Sequence, residues 1–280
     1  MNQENIKIAV LDMYDNETNQ GMRCIKDILG ESNAYFENID VHFEIFETRY
    51  KAKVPDNNYD IYISSGGPGD PFDGIGKKWE KDYFTLLDKI WDNNQQVGTT
   101  KKYLFFICHS FQIMARYFKL GEVIKRKSKS FGVLPVHITE EGKDDIILKG
   151  LSDPFYGADF RGWQVIQPNE KIMDDLGAKV ICLEKVRPHV ELERAMMAVR
   201  VSNEIIGTQF HPEADPESMH YHFKRPERKK QVVDEYGEKK YYEMIEILEE
   251  PDNITLTRNT VLPNFLRDAI SNLKFVENLV

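Results

Sequence analysis

Apolar positions fall along this chain in two rhythms. Residues 6–11 and 41–46 are apolar or alternating runs of strand length, and Asp60-Ile61-Tyr62-Ile63-Ser64 is a third that stops at a Gly/Pro cluster. Elsewhere the spacing changes to three and four. Residues 20–30 and 78–93 carry it, the second with Trp79, Tyr83, Leu86, Leu87 and Ile90 on one stripe, as in a helix that covers a sheet face. Tyr103-Leu104-Phe105-Phe106-Ile107 is apolar throughout, the mark of a strand buried on both sides. Strands alternating with helices predict an α/β fold: a doubly wound, mostly parallel sheet flanked by helices, with right-handed crossovers. In such sheets ligands bind at the carboxyl ends of strands. Three places answer that rule: Gly66-Gly67-Pro68-Gly69-Asp70, Cys108-His109-Ser110 and His211-Pro212-Glu213.

No Gly/Ser- or Pro-rich linker divides residues 1–217, so that stretch reads as one domain. From Ser218 the composition turns to Lys, Arg, Glu and Tyr. Pro226 is placed like a first-turn proline and Gly237 interrupts the pattern, so one or two surface helices are expected there. Within residues 259–273, Val261, Leu262, Phe265, Leu266 and Ile270 recur at helical spacing, which predicts a helix closing back on the core. Residues 218–280 therefore read as a helical C-terminal extension packing on the same domain; a surface for a partner or second subunit is the alternative.

Composition narrows the setting. With 280 residues and 41% hydrophobic content the chain can bury a full core. Three cysteines, Cys24, Cys108 and Cys182, are too few for a disulfide framework, which favours a reducing compartment. Met1-Asn2-Gln3-Glu4-Asn5 has no basic region, and the apolar run from Ile8 stops at Asp12, too short for a signal peptide or a membrane span. A cytoplasmic protein without membrane association is expected. A formal charge of −9 argues against nucleic acid as partner. The basic run Lys125-Arg126-Lys127-Ser128-Lys129 reads as a solvated hairpin arm.

The three strand ends carry the chemistry. Taken alone, a cysteine after an apolar strand is a small core residue more often than a nucleophile. Here a segment of helical periodicity, His109 to Phe118, follows at once, so Cys108 occupies a strand-to-helix elbow. There the helix N-terminus favours a thiolate and its free N–H groups can hold an oxyanion. Residues 205–210 read as a strand leading into His211-Pro212-Glu213, and in extended chain residues i and i+2 share a side. Glu213 can then hold the His211 ring in the tautomer that accepts a proton from Cys108. The glycines at 66–69 are by themselves only a turn, but they allow backbone N–H groups to face a tetrahedral intermediate.

Together these segments resemble class I, triad-type glutamine amidotransferases, nearest to stand-alone domains like the glutaminase part of GMP synthetase. That family carries a glycine-rich oxyanion loop, an elbow of the form Gly-x-Cys-x-Gly-x-Gln and a His-Pro-Glu motif, in the order found here across residues 6–215. The resemblance implies a flavodoxin-like fold and a triad of Cys108, His211 and Glu213. It also implies an oxyanion hole from the N–H groups of Gly67 and His109, with Gln112, Phe131 and Gly132 contacting substrate. Glutamine or another γ-glutamyl compound is the implied substrate, with no cofactor or metal, and a synthetase or acceptor enzyme is the implied partner in trans.

Three departures qualify that resemblance. Phe106 and Ser110 stand where the family has glycine or another small residue, and Arg161-Gly162-Trp163 stands where relatives carry a histidine-containing segment. Strand alternation puts Phe106 on the side of Cys108, with its ring beneath the thiol and on the pocket side. No P-loop is present, so amination of an acceptor falls to a partner. A γ-glutamyl hydrolase or peptidase, and a silent binding module, are the competing readings. His220-Tyr221-His222 reads as a surface turn rather than half a zinc site, and Cys24 and Cys182 as packing.

Overall fold

Each apolar run becomes a strand of one sheet, and the two sides of those strands make two separate cores. The computed structural model describes residues 4–32, 39–187, 191, 193–250 and 253–277. Met1 to Gln3, part of the N-terminal stretch read above, lie outside them. In chain order the strands are β1 (Glu4–Leu11), β2 (Ile39–Phe46), β3 (Ile61–Ser64), β4 (Tyr103–Ile107), β5 (Glu122–Ile138), β6 (Phe155–Ile166), β7 (Lys179–Glu184), β8 (Met196–Arg200) and β9 (Ile205–Thr208). The helices are α1 (Gly21–Ser32), α2 (Thr48–Lys51), α3 (Lys78–Gln95), α4 (His109–Phe118), α5 (Glu170–Leu176), α6 (Pro216–Phe223), α7 (Pro226–Tyr236), α8 (Glu238–Glu249) and α9 (Ile254–Glu277).

The sheet order is β2-β1-β3-β4-β9-β8-β7-β5-β6. From β2 to β9 the pairing is parallel, as expected for a doubly wound sheet. Beyond β9 an antiparallel wing of β8, β7, β5 and β6 continues the sheet. That wing was not legible as such, because alternation gives a strand's period but not its direction.

Alternate residues of β1, β3 and β4 serve opposite layers. Ile8, Val10, Ile61, Ile63, Phe105 and Ile107 pack with α1 and with Val261, Leu262, Phe265, Leu266 and Ile270 of α9. Ala9, Leu11, Tyr62, Leu104 and Phe106 pack with Trp79, Tyr83, Leu86 and Ile90 of α3 and with Phe111 and Met114 of α4. The expected closing helix is thus α9, running beyond 259–273 in both directions and buried in the main core. A third cluster joins Met219 and Phe223 of α6 and Tyr241, Met244 and Leu248 of α8 to Val133 and Ala158 of the antiparallel wing.

Between Ser218 and Glu249 the structure differs from expectation in two ways. Three helices form, not one or two, with Pro226 opening α7 and Gly237 at φ 85° separating α7 from α8. His220-Tyr221-His222 lies within α6 rather than in a turn, because Asp215 caps that helix by accepting from the Ser218 N–H at 2.7 Å. The basic run is also only partly solvated. Lys125, Lys127 and Lys129 are exposed at a bulge in β5. Arg126 turns inward, its side chain 6% exposed, and pairs with Glu184 at 3.1 Å.

Candidate active site

Cys108 ends β4 and precedes α4 with φ 49° and ψ −96°, a conformation that costs a non-glycine residue energy. Its surroundings hold it there. The Cys108 N–H donates to the Thr208 carbonyl at 2.7 Å, and the Cys108 carbonyl accepts from the Gln112 N–H at 3.1 Å. Ser110 adds a buried tie. Its hydroxyl donates to the Ser65 carbonyl, so it accepts from Ser64 at 2.8 Å, which in turn accepts from Tyr83 at 2.7 Å. The serine that departs from the family pattern thus fastens the elbow to the end of β3.

The same positive φ corrects the expectation for Phe106. Regular alternation would put Phe106 and Cys108 on one side, but the chain leaves the strand at Cys108. Phe106 is fully buried in the layer of α3 and α4, whereas Cys108 packs in the opposite layer with Phe105 and Ile107. The ring is core and does not lie beneath the thiol.

Opposite the elbow, β9 delivers the histidine. The His211 N–H donates to the Ala158 carbonyl at 2.8 Å, fixing the backbone just before Pro212. His211 Nδ1 lies 2.8 Å from Glu213 Oε1, and Cys108 is close enough for its charge to act on the same imidazole. A carboxylate only accepts, so Nδ1 carries the proton and Nε2 is left for sulfur. Glu213 is 1% exposed, and its Oε2 is buried with no hydrogen-bond partner among the described residues. Burial disfavours the imidazolium, but Glu213 and then the Cys108 sulfur outweigh it and raise the proton affinity of His211 well above that of a free histidine.

The glycine-rich loop closes the third side. A Cβ on Gly66 would lie 2.6 Å from His211 Cε1 and would force that ring to move, and one on Gly67 would lie 2.3 Å from the Met13 carbonyl oxygen, against backbone. Two arginines hold this loop by its carbonyls: Arg49 donates to Pro68 and Met13, and Arg116 donates to Pro71 while pairing with Glu80 at 2.6 Å. His109 opens α4, where the backbone N–H has no acceptor within the helix. Its side chain is 2% exposed, and burial, then Arg49 and Arg116, push the ring down to about 3.

The remaining expected residues sit as follows. Gln112 Nε2 donates to Gln209 Oε1 at 3.1 Å and to the Trp163 carbonyl at 3.4 Å. Phe131 packs against Phe160 and Phe223, and Gly132 faces Met244. Phe131 reaches the triad at one remove, through the Phe160 ring that meets His211 at 5.9 Å, whereas Gly132 pairs across the sheet with Asp159. Arg161 has no exposed side-chain surface and pairs with Asp159 and Glu184, both at 3.0 Å. Among the described residues no group of three or more His, Cys, Asp or Glu could hold a metal ion, and no helix is long and apolar enough to cross a membrane.

Two residues at the site escaped the sequence reading. Tyr14 follows β1, and its hydroxyl lies where a Cβ on Gly21 would come within 2.1 Å and one on Gly66 within 3.2 Å. Burial, then the charges of Glu213 and Cys108, hold its phenol well above the usual range. Gln209 is fully buried and places Nε2 3.7 Å from Cys108 Sγ.

Fold and site define an α/β protein with an elbow-mounted cysteine beside a carboxylate-held histidine. The glutamine amidotransferase class-I family matches residues 10–226, and the chain belongs to that family. Solved structures agree on the fold. A glutamine amidotransferase from Thermotoga maritima superposes with a TM-score of 0.64 at 16% identity, covering 94% of this chain and 98% of that one. One from Methylobacillus flagellatus gives 0.59 at 13% identity, covering 96% and 95%. A homoserine O-acetyltransferase from Catenibacterium mitsuokai is 27% identical over 209 residues, which span 72% of this chain and 59% of that protein's length.

Proposed function

We propose that this chain hydrolyses the side-chain carboxamide of glutamine through Cys108 and releases ammonia. The observation that carries the reading is an elbow cysteine with positive φ beside an imidazole, His211, that Glu213 holds at 2.8 Å. The Cys108 thiol gives its proton to His211 Nε2 as Sγ attacks the carboxamide carbon, and the carbonyl electrons move onto oxygen, where the N–H groups of Gly67 and His109 would hold the charge. His211 protonates the departing nitrogen; the C–N bond breaks and a γ-glutamyl thioester remains. Water then attacks the thioester, His211 takes its proton, and the C–S bond breaks to free glutamate and the cysteine. Gln112 stands where the family holds its substrate. The ammonia would pass to an acceptor enzyme bound in trans. In this reading residues 1–217 are the glutaminase domain and 218–280 its extension, and three buried free thiols fit a cytoplasmic setting.

The match to a homoserine O-acetyltransferase favours one second reading: the same thiolate carrying an acyl group to a hydroxyl acceptor. One assay separates the two. Purified protein is given glutamine, or an acyl thioester with homoserine, and glutamate and O-acyl product are measured beside Cys108→Ala. Glutamate release lost in the variant supports the amidotransferase; O-acyl product with no glutamate replaces it with the acyltransferase.

A further inference from the structure

The geometry points to Gln209 as a catalytic residue that donates a hydrogen bond to the Cys108 sulfur, its amide turned that way by a relay through Gln112 from the Trp163 carbonyl. The assignment deepens the reading above and rests on it only for the identity of the acyl group.

An amide side chain can present oxygen or nitrogen to its neighbour, so the polarity must be fixed by something that cannot turn over. Here that is a backbone carbonyl, which only accepts. The Trp163 carbonyl faces Gln112 at 3.4 Å, so the NH2 end of Gln112 is the end that lies there. The same nitrogen lies 3.1 Å from the Gln209 side chain, which must therefore offer its oxygen. With its oxygen toward Gln112, Gln209 has its NH2 toward sulfur, 3.7 Å from Sγ. Gln112 is 3% exposed and Gln209 fully buried, so water does not compete for either amide. Backbone bonds at both ends lock the chain. Gln209 N–H donates to the Met197 carbonyl at 2.8 Å, and Gln112 N–H to the Cys108 carbonyl at 3.1 Å.

A donor aimed at sulfur acts whenever sulfur is negative. It favours thiolate over thiol in the resting enzyme, and in the second half-reaction it meets the electron pair that returns to Sγ as the C–S bond breaks. Its cost is small, because nucleophilicity falls less steeply than thiolate fraction rises, with a Brønsted slope of about 0.4–0.5. Position also matters. Gln209 and His211 are two residues apart just after β9, so one strand end supplies both the donor to the sulfur and the imidazole on which the sulfur's charge acts.

The test is the pH dependence of Cys108 alkylation by iodoacetamide, followed by mass spectrometry of the Cys108 peptide, and it needs no substrate. Gln209→Met keeps the volume and removes the donor. Its midpoint should move upward by about one pH unit, making alkylation about threefold slower below the midpoint once the gain in nucleophilicity is counted, and about threefold faster at high pH. Gln209→Glu should move it further, since a carboxylate beside Sγ opposes a second negative charge. Gln112→Met should move it the same way by less, because Gln209 stays but loses its orientation. Should Gln209→Met fail to fold, Gln112→Met carries the same test. Folded variants whose midpoint matches wild type would overturn the assignment. A shifted midpoint in a protein that releases no glutamate would uphold the assignment and sink the glutaminase reading instead.

Discussion

Acidifying the protein from about pH 7.5 to about pH 5 should remove about 2 kcal/mol of folding stability through His109 alone. The side chain is 2% exposed beneath the elbow, and burial followed by the charges of Arg49 and Arg116 pushes its ring down to about 3. In the unfolded chain the same ring returns to about 6.5. The folded state therefore prefers the neutral ring. As pH falls below about 6.5 the unfolded chain takes up a proton that the folded chain refuses, so this contribution is whole above about 6.5 and is lost progressively toward about 3. At pH 5 the gap is about 1.5 units, each worth about 1.36 kcal/mol, which gives the 2 kcal/mol. Urea unfolding of wild type and His109→Gln at both pH values isolates it. Other groups titrate alike in the two proteins, and the substitution's own cost appears at both pH values and cancels. The variant should lose about 2 kcal/mol less than wild type between the two conditions. Equal losses would refute the reasoning.

Three substitutions test the rest of the site. Phe106→Ala should cost about 3–5 kcal/mol in denaturant unfolding, as for a fully buried ring, and should not raise glutamate release per folded molecule; a gain in activity would return the ring to the pocket. Gly66→Ala puts a Cβ 2.6 Å from His211 Cε1, so the ring must move, and glutamate release should fall about a hundredfold while the protein stays folded. Glu213→Gln removes the largest charge that holds the His211 proton and leaves burial opposed by Cys108 alone. The alkaline limb of glutamate release should then move to lower pH, and an unmoved limb would deny Glu213 its role.

Much of the fold was legible because the apolar runs and helical stripes were long. The run at residues 103–107 is β4, and the stripe from Trp79 to Ile90 is α3. The antiparallel wing was not, since pairing direction depends on connections rather than on side-chain period. At the site, the rule of strand carboxyl ends selected the segments that the structure brings together, and i,i+2 spacing put His211 against Glu213. The same two rules, carried further, reach the missed residues. Tyr14 follows the end of β1, a strand end left unread, and Gln209 is one i,i+2 step before His211. Phe106 went astray for a physical reason: alternation holds only while the strand is regular, and the strain at Cys108 that suits a nucleophile is what breaks it. Arg49 and Arg116 carried no local signal, because they reach the glycine loop from α2 and α4.

The central claim is that Cys108 carries the γ-glutamyl group, and the direct measurement is the mass of its peptide after the protein is mixed with glutamine and quenched in acid within the first turnovers. The account predicts a γ-glutamyl adduct on the peptide bearing Cys108, discharged by hydroxylamine as thioesters are, and absent from Cys108→Ala. Glutamate accumulating in solution with Cys108 never modified, or Cys108→Ala turning over glutamine at the wild-type rate, would contradict it.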